Sequence, residues 1–175
     1  LFGWASANPI YGGTGSGGIN ALYDIVSIQQ GLEQAGFSVN QELLDSYTAY
    51  SSQRPDMTIT TQSWTLYEPP VDTYPQDMLD SAKEFSDVAV ITLGRLAGEG
   101  HNDMPMAMSE AGYDNNSEEY DDFQPDDHYL QLSQTEKNLV EMVCDNFDTV
   151  ILLVNSGNPM ELGFVDNYEQ IKSVL

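Results

Sequence analysis

Asp87-Val88-Ala89-Val90-Ile91-Thr92-Leu93-Gly94 is the stretch on which the fold turns. It is an almost unbroken apolar run of strand length, closed by a glycine. Such a strand has no polar face to offer to water, so both of its faces must be covered. That is the mark of a parallel strand lying between helical layers. Thr149-Val150-Ile151-Leu152-Leu153-Val154-Asn155 is a second run of the same kind.

Helical patterns surround these two strands. Upstream, Asn20 is placed to cap a helix with Leu22, Ile25, Ile28 and Leu32 on one face and Gly36 at its end. A second helix runs from about Asn40 through Leu43, Leu44 and Tyr47 to the Arg54-Pro55 break. The Thr-, Trp- and Tyr-rich stretch from Thr58 to Tyr74, with Pro69-Pro70 inside it, reads as extended segment and loop. A short helix spans about Gln76 to Phe85. Downstream, Arg95 to Tyr129 has no regular period, and Ser133-Gln134-Thr135-Glu136 is a capping box that opens a helix facing Leu139, Val140, Val143 and Phe147 inward. A short helix near Glu161 to Val165 follows the second strand. Alternating strands and helices predict an α/β layered sandwich with a mainly parallel sheet and helices on both faces. In such sheets ligands collect beyond the carboxyl ends of the strands. Here those ends are Trp4 onward, Arg95 onward and Asn155 onward.

The 175 residues suit one domain, and 41% hydrophobic with 19% charged residues is the balance of a globular chain. Twenty-eight acidic residues against five Lys+Arg give a formal net charge of -23. A surface of that sign repels nucleic acid and anionic membrane and favours neutral or cationic partners. No apolar stretch approaches the roughly 20 residues of a membrane span. The single cysteine, Cys144, excludes an internal disulfide framework and a multi-cysteine metal site; its apolar helical neighbours mark it as core filler. Leu1-Phe2-Gly3-Trp4 reads as the tail of a strand already under way, and Ile171 to Leu175 as the start of another. The chain is therefore expected to be a piece of a larger protein.

Among candidate sites, the loop from Gly12 to Gly18 lacks the Gly-Lys-Ser/Thr ending of a phosphate loop. It reads better as a place where backbone approaches a neutral ligand. Arg95-Leu96-Ala97-Gly98-Glu99-Gly100-His101-Asn102-Asp103 is more informative. A carboxyl between two glycines at a strand's carboxyl end is accessible and free to be positioned, and Arg95 could orient a sugar hydroxyl or a carboxylate. A solvated loop acid remains the alternative for Glu99 at this point. His101 and His128, with Asp103, Asp114, Asp126 and Asp127, have no fixed ligand spacing, and neither a metal nor another cofactor is expected. The acidic tract from Asp114 to Phe123 has no basic neighbour in sequence and reads as solvated surface.

Taken in order, these segments resemble the second, α/β-sandwich domain of glycoside hydrolase family 3, the β-glucosidase family. The resemblance rests on Gly3-Trp4-Ala5-Ser6-Ala7-Asn8-Pro9 with Gly12 to Gly17, on Val88 to Gly100, and on Tyr129 to Ser133 through Asn155-Ser156-Gly157-Asn158-Pro159-Met160-Glu161-Leu162. It implies that residues 1–175 are a partial sandwich domain whose catalytic barrel lies outside the chain. It further implies a retaining mechanism with Glu99 as acid/base catalyst, a barrel-borne aspartate as nucleophile, and two carboxyls about 5–5.5 Å apart. Arg95, Gly98, Gly100, His101 and Asp103 become the substrate-side residues. The family pattern Glu-Gly-x-Asp-Arg is altered here, since one additional residue precedes Asp103 and Met104 follows it. The partners implied are a β-linked glucoside or related oligosaccharide and the barrel domain of the same protein. The chain alone is expected to be inactive. Two readings from other classes stand beside this one: a non-catalytic carbohydrate-binding or structural domain, and a nucleotide-binding α/β protein resting only on the Gly12 to Gly18 loop.

Overall fold

The computed structural model describes residues 1–13, 15–18, 24–55, 66–98, 117–120 and 122–175. Its centre is a parallel three-stranded sheet in the order β1 (Val88–Arg95), β2 (Thr149–Ser156), β3 (Ile171–Val174). β1 and β2 run in unbroken register from Val88 opposite Thr149 to Arg95 opposite Ser156. On the outer side of β1, Phe2 makes an isolated parallel bridge to Ile91, as the strand-like opening of the sequence leads one to expect. The α/β class, the parallel pairing and the two long strands are as the apolar runs predict.

Side chains alternate across β1 and meet different helices. Thr92 and Gly94 face α1 (Trp4–Ala7): the Ser6 hydroxyl donates to Thr92 Oγ1 at 2.7 Å, and the Trp4 ring lies directly over Gly94. Arg95, from the other set, meets Glu136 of α5 (Gln134–Asn146). All of β1 after Val88 is thus at least half-buried, and from Ile91 onward it is fully buried. β2 departs from expectation. Val150 and Leu152 are fully buried while Ile151 and Leu153 are only half-buried, so its second face is less completely covered.

The remaining elements enclose this sheet. α3 (Gln41–Ser51) begins at Asn40, whose side chain accepts from the Leu43 N–H, and it buries Leu43, Leu44 and Tyr47. α4 (Gln76–Phe85) buries Leu79 and Ala82. α5 carries the expected capping box, with Ser133 and Glu136 each satisfying a backbone N–H of the other. α2 (Ile28–Gln34) is shorter than the apolar spacing predicts: Ser27, in a capping box with Gln30, starts it. Asn20 lies outside the described residues, and Asp24 to Val26 precede the helix as irregular chain. The short helix expected near Glu161 to Val165 is a 3-10 helix over Gly163–Asn167. Cys144 is buried in the core, and burial, followed by the charge of Asp145, pushes its thiol up to about 11. No described helix is long and apolar enough to cross a membrane.

Candidate functional site

The carboxyl ends of β1 and β2 converge with the segment that follows α1 on a cleft of about 240 Å³. Its walls are Ile10 to Gly13, Ala97, and Asn155 to Gly157. All three strand-end segments singled out in the sequence therefore meet at one place. A larger hollow of about 400 Å³ opens at the opposite ends of the strands, around Val88, Ala89 and Val90. Its lining has no titratable side chain. Ligands of parallel sheets collect beyond the carboxyl ends of the strands, so the smaller cleft, which lies there, is the candidate.

Asn155 closes the back of this cleft. Its Oδ1 accepts from the Ile10 N–H at 2.5 Å and its Nδ2 donates to the Ile10 carbonyl at 3.0 Å. One amide thus ties the end of β2 to the loop after α1. Two glycines then let Ala97 pass between these walls. A Cβ on Gly13 would stand 2.8 Å from the Ala97 carbonyl oxygen, and one on Gly157 would stand 2.8 Å from the Ala97 Cβ. Only glycine fits such approaches. The next residue, Gly98, has a φ of 121°, a backbone conformation that other residues rarely adopt. The chain leaving β1 is therefore led along the cleft wall at Ala97 and on to Gly98.

Glu99, Gly100, His101 and Asp103 lie outside the described residues. Gly98 is placed beside Gly13 of the cleft wall. Arg95 is not: its guanidinium is completely buried beneath the cleft's approach strand. Nε donates to the Tyr129 carbonyl at 2.6 Å, Nη1 to the Gly94 carbonyl at 2.7 Å and to Glu136 Oε1 at 2.6 Å, and Nη2 to the Gln131 carbonyl at 2.7 Å and to Glu136 Oε2 at 2.6 Å. A guanidinium has five N–H donors, and these contacts occupy all of them. In this arrangement none is left for a sugar hydroxyl. Burial acts to lower the Arg95 pKa, but the paired Glu136 outweighs it and holds the group charged. Arg95 is the pin that fastens the end of β1 to α5 and to the Tyr129–Gln131 segment.

Further buried ions support the same region. Asp122 is buried, with its Oδ2 2.9 Å from Arg54 Nη2 and accepting also from the Leu66 N–H at 3.0 Å. The Arg54 guanidinium in turn lies 3.7 Å from the centre of the Tyr120 ring. The far end of the acidic tract is thus anchored in the interior, against the expectation of solvated surface. Its cation comes from 68 residues earlier, beyond any local reading. Burial raises the Asp122 carboxyl to about 7 although Arg54 and the Leu66 N–H pull it down. His128 is half-buried, with Nε2 3.2 Å from Glu161 Oε1. Among the described residues no group of three His, Cys, Asp or Glu side chains could hold a metal ion.

The whole chain, residues 1–175, matches the glycosyl hydrolase family 3 C-terminal domain. The chain belongs to this family. It is 29% identical over 171 residues to a β-glucosidase of Ruminococcus albus, covering 96% of the chain and 16% of the relative. It is 30% identical over 186 residues to β-glucosidase A of Butyrivibrio fibrisolvens, covering 100% of the chain and 21% of the relative. Among solved structures, β-glucosidase 3B of Thermotoga neapolitana in complex with glucose superposes with a TM-score of 0.65 at 25% identity, over 99% of this chain and 22% of the other. The family 3 domain described here thus spans about a fifth of the length of these β-glucosidases.

Proposed function

We propose that this family 3 domain supplies the acid/base catalyst of a retaining β-glucosidase, and that Glu99 is the catalyst. The observation that carries the proposal is the wedging of Ala97 between Gly13 and Gly157 at the carboxyl ends of β1 and β2. Glu99 follows Ala97 by two residues and is flanked by Gly98 and Gly100. A firmly held strand end followed by a glycine-flanked carboxyl gives a short arm able to reach a sugar bound against a second domain. Protonated, Glu99 donates to the leaving glycosidic oxygen; ionised, it takes a proton from the attacking water. The first role needs a raised pKa, which burial under bound sugar beside other carboxylates supplies.

In this proposal the nucleophilic carboxylate comes from a barrel domain outside the chain, so the isolated domain does not hydrolyse glycosides. Gly98, Gly100, His101 and Asp103, the neighbours of Glu99 in sequence, are proposed to face the substrate with it. Arg95 acts one step further back, by fixing the strand from which the arm springs.

The test uses the full-length protein, aryl β-glucosides with good and poor leaving groups, and Glu99→Ala. Loss of the acid slows poor leaving groups by roughly 10²–10⁴-fold. Good leaving groups are spared in the first step, and azide restores turnover by replacing the activated water. An unchanged leaving-group dependence in Glu99→Ala would remove Glu99 from the mechanism.

A further inference from the structure

Glu68 is a fully buried acid that the proposed chemistry does not use. Its Oε2 accepts from the Trp4 N–H at 2.9 Å, and its Oε1 accepts from the Tyr74 hydroxyl at 3.0 Å. The Tyr74 and Tyr47 hydroxyl oxygens are 2.5 Å apart, and Tyr47 also accepts from the Gly3 N–H at 2.8 Å. Two consecutive backbone N–H groups, two phenols and one carboxyl thus form a closed buried chain.

The number of hydrogens in this chain depends on the charge of Glu68. Ionised, it leaves two N–H and two O–H hydrogens for four contacts. Gly3 donates to Tyr47, Tyr47 to Tyr74, Tyr74 to Glu68, and Trp4 to Glu68, so every contact holds one hydrogen. A protonated Glu68 brings a fifth. It donates to Tyr74 and Tyr74 donates to Tyr47, so the Tyr47 hydrogen is left facing the Gly3 N–H, itself a donor. Leaving a buried donor without an acceptor is costly.

What this chain holds is the entry to the cleft wall. Gly3 is pressed against β1, where a Cβ would stand 2.3 Å from the Thr92 carbonyl oxygen. Trp4 opens α1 and packs edge-on against Tyr67, the neighbour of Glu68, with ring centres 5.2 Å apart. α1 then leads through Asn8, bonded to Ser51, into the Ile10–Gly13 wall that Asn155 fastens to β2.

We propose that Glu68 is a positioning residue whose gain or loss of a proton resets the Gly3–Trp4 turn and, through α1, the Ile10–Gly13 wall of the cleft. The groups that face it are Tyr47 of α3 and Tyr74 after the Val71–Thr73 turn. Glu136 of α5 and Asp122 act on it through charge, and these are paired with Arg95 and Arg54. Burial, opposed by the Trp4 N–H and assisted by the charge of Glu136, pushes the Glu68 carboxyl up to about 8. The change of state therefore falls close to neutral pH.

Two measurements on the full-length protein test this; only the second rests on the proposed glycosidase activity. An infrared pH titration, taken as wild type minus Glu68→Gln, is expected to show a protonated-carboxyl band that vanishes as pH rises through about 8. In the second, KM for an aryl β-glucoside falls about fivefold across the same transition, the equilibrium worth of one hydrogen bond. Glu68→Gln mimics the protonated acid, because its amide donates to Tyr74, and it holds the acid-side KM at every pH. The leaving-group dependence of kcat, which reports Glu99, is unchanged. Tyr74→Phe removes one donor from the carboxylate and moves both transitions to higher pH. Absence of the infrared band overturns the proposal, as does a KM transition that persists in Glu68→Gln. Should Glu68→Gln fail to fold, Tyr74→Phe decides, and an unmoved transition refutes the role. A protein without hydrolysis at any pH overturns the reading of Glu99 and leaves the infrared titration to decide Glu68.

Discussion

Arg95 and Glu136 give the sharpest quantitative expectation. Both side chains are fully buried, 2.6 Å apart in a two-pronged pair, and Arg95 also satisfies the carbonyls of Gly94, Tyr129 and Gln131. Replacing Arg95 by Met leaves a carboxylate without its cation in the interior. Breaking a buried pair from one side costs about 3–5 kcal/mol. Glu136→Leu removes the other half and also the side chain that caps the Ser133 N–H at 3.0 Å, so it should cost a similar amount plus about 1 kcal/mol. The double variant buries no lone charge. It should lose far less than the sum of the two, with a coupling of about 2–3 kcal/mol. Hydrogen exchange in the full-length protein, followed in peptides covering β1 and α5, reads the opening energy of this region without requiring the whole protein to unfold in one step. The same variants separate the pin from a sugar contact. A sugar-binding Arg95 would raise KM in Arg95→Met while leaving β1 protected from exchange. Additive losses, or protection unchanged in the single variants, would refute the account of Arg95 as a pin.

Gly94→Ala places a Cβ 2.6 Å from the Trp4 ring and 2.9 Å from the Ala5 Cβ, in a layer with no space to give. Overpacking of this kind costs about 1–3 kcal/mol, seen as a lowered thermal midpoint; an unchanged midpoint would show that α1 shifts freely on β1. Stability should also fall as pH rises towards 8. Burial lifts Glu68 from 4.5 to about 8 and Asp122 from 3.8 to about 7, so the folded state binds protons that the unfolded chain has already released. The contribution is fully present below about pH 4, declines by about 1.4 kcal/mol per pH unit for each group between its unfolded and folded values, and is gone above about pH 8. Denaturant midpoints measured between pH 4 and 9 check the slope, and Glu68→Gln should flatten its alkaline part.

The sheet was legible in the sequence for a definite reason. A strand covered on both faces must be apolar throughout, and Val88 to Leu93 comes close to that with Thr92 as its one polar member, satisfied by Ser6. The same reasoning overstates β2, because an apolar run does not reveal that Ile151 and Leu153 are only half-covered. The capping box at Ser133 was legible too, whereas the Ser27 cap of α2 was missed, because the apolar spacing around Ile25 does not mark where the helix begins. The site was legible as three strand ends, but not as one cleft, since the Asn155–Ile10 contact joins residues 145 apart.

Composition hid the interior charges most completely. With 28 acidic residues and five cations, any given Asp or Glu reads as solvated surface, and that expectation fails at Asp122. Yet both arginines of the chain, Arg54 and Arg95, are buried, and burial of a cation demands acids beside it. Asp122 and Glu136 meet that demand one for one. Glu68 is buried as well and is left without a cation of its own, held by backbone N–H and phenol donors alone. A third acid beside two ion pairs must either take up a proton or be satisfied entirely by hydrogen bonds. Its four-contact chain supports the ionised form while its burial favours the neutral one. That near balance, and not the acidity of the chain as a whole, is what makes the wall of the cleft responsive to pH.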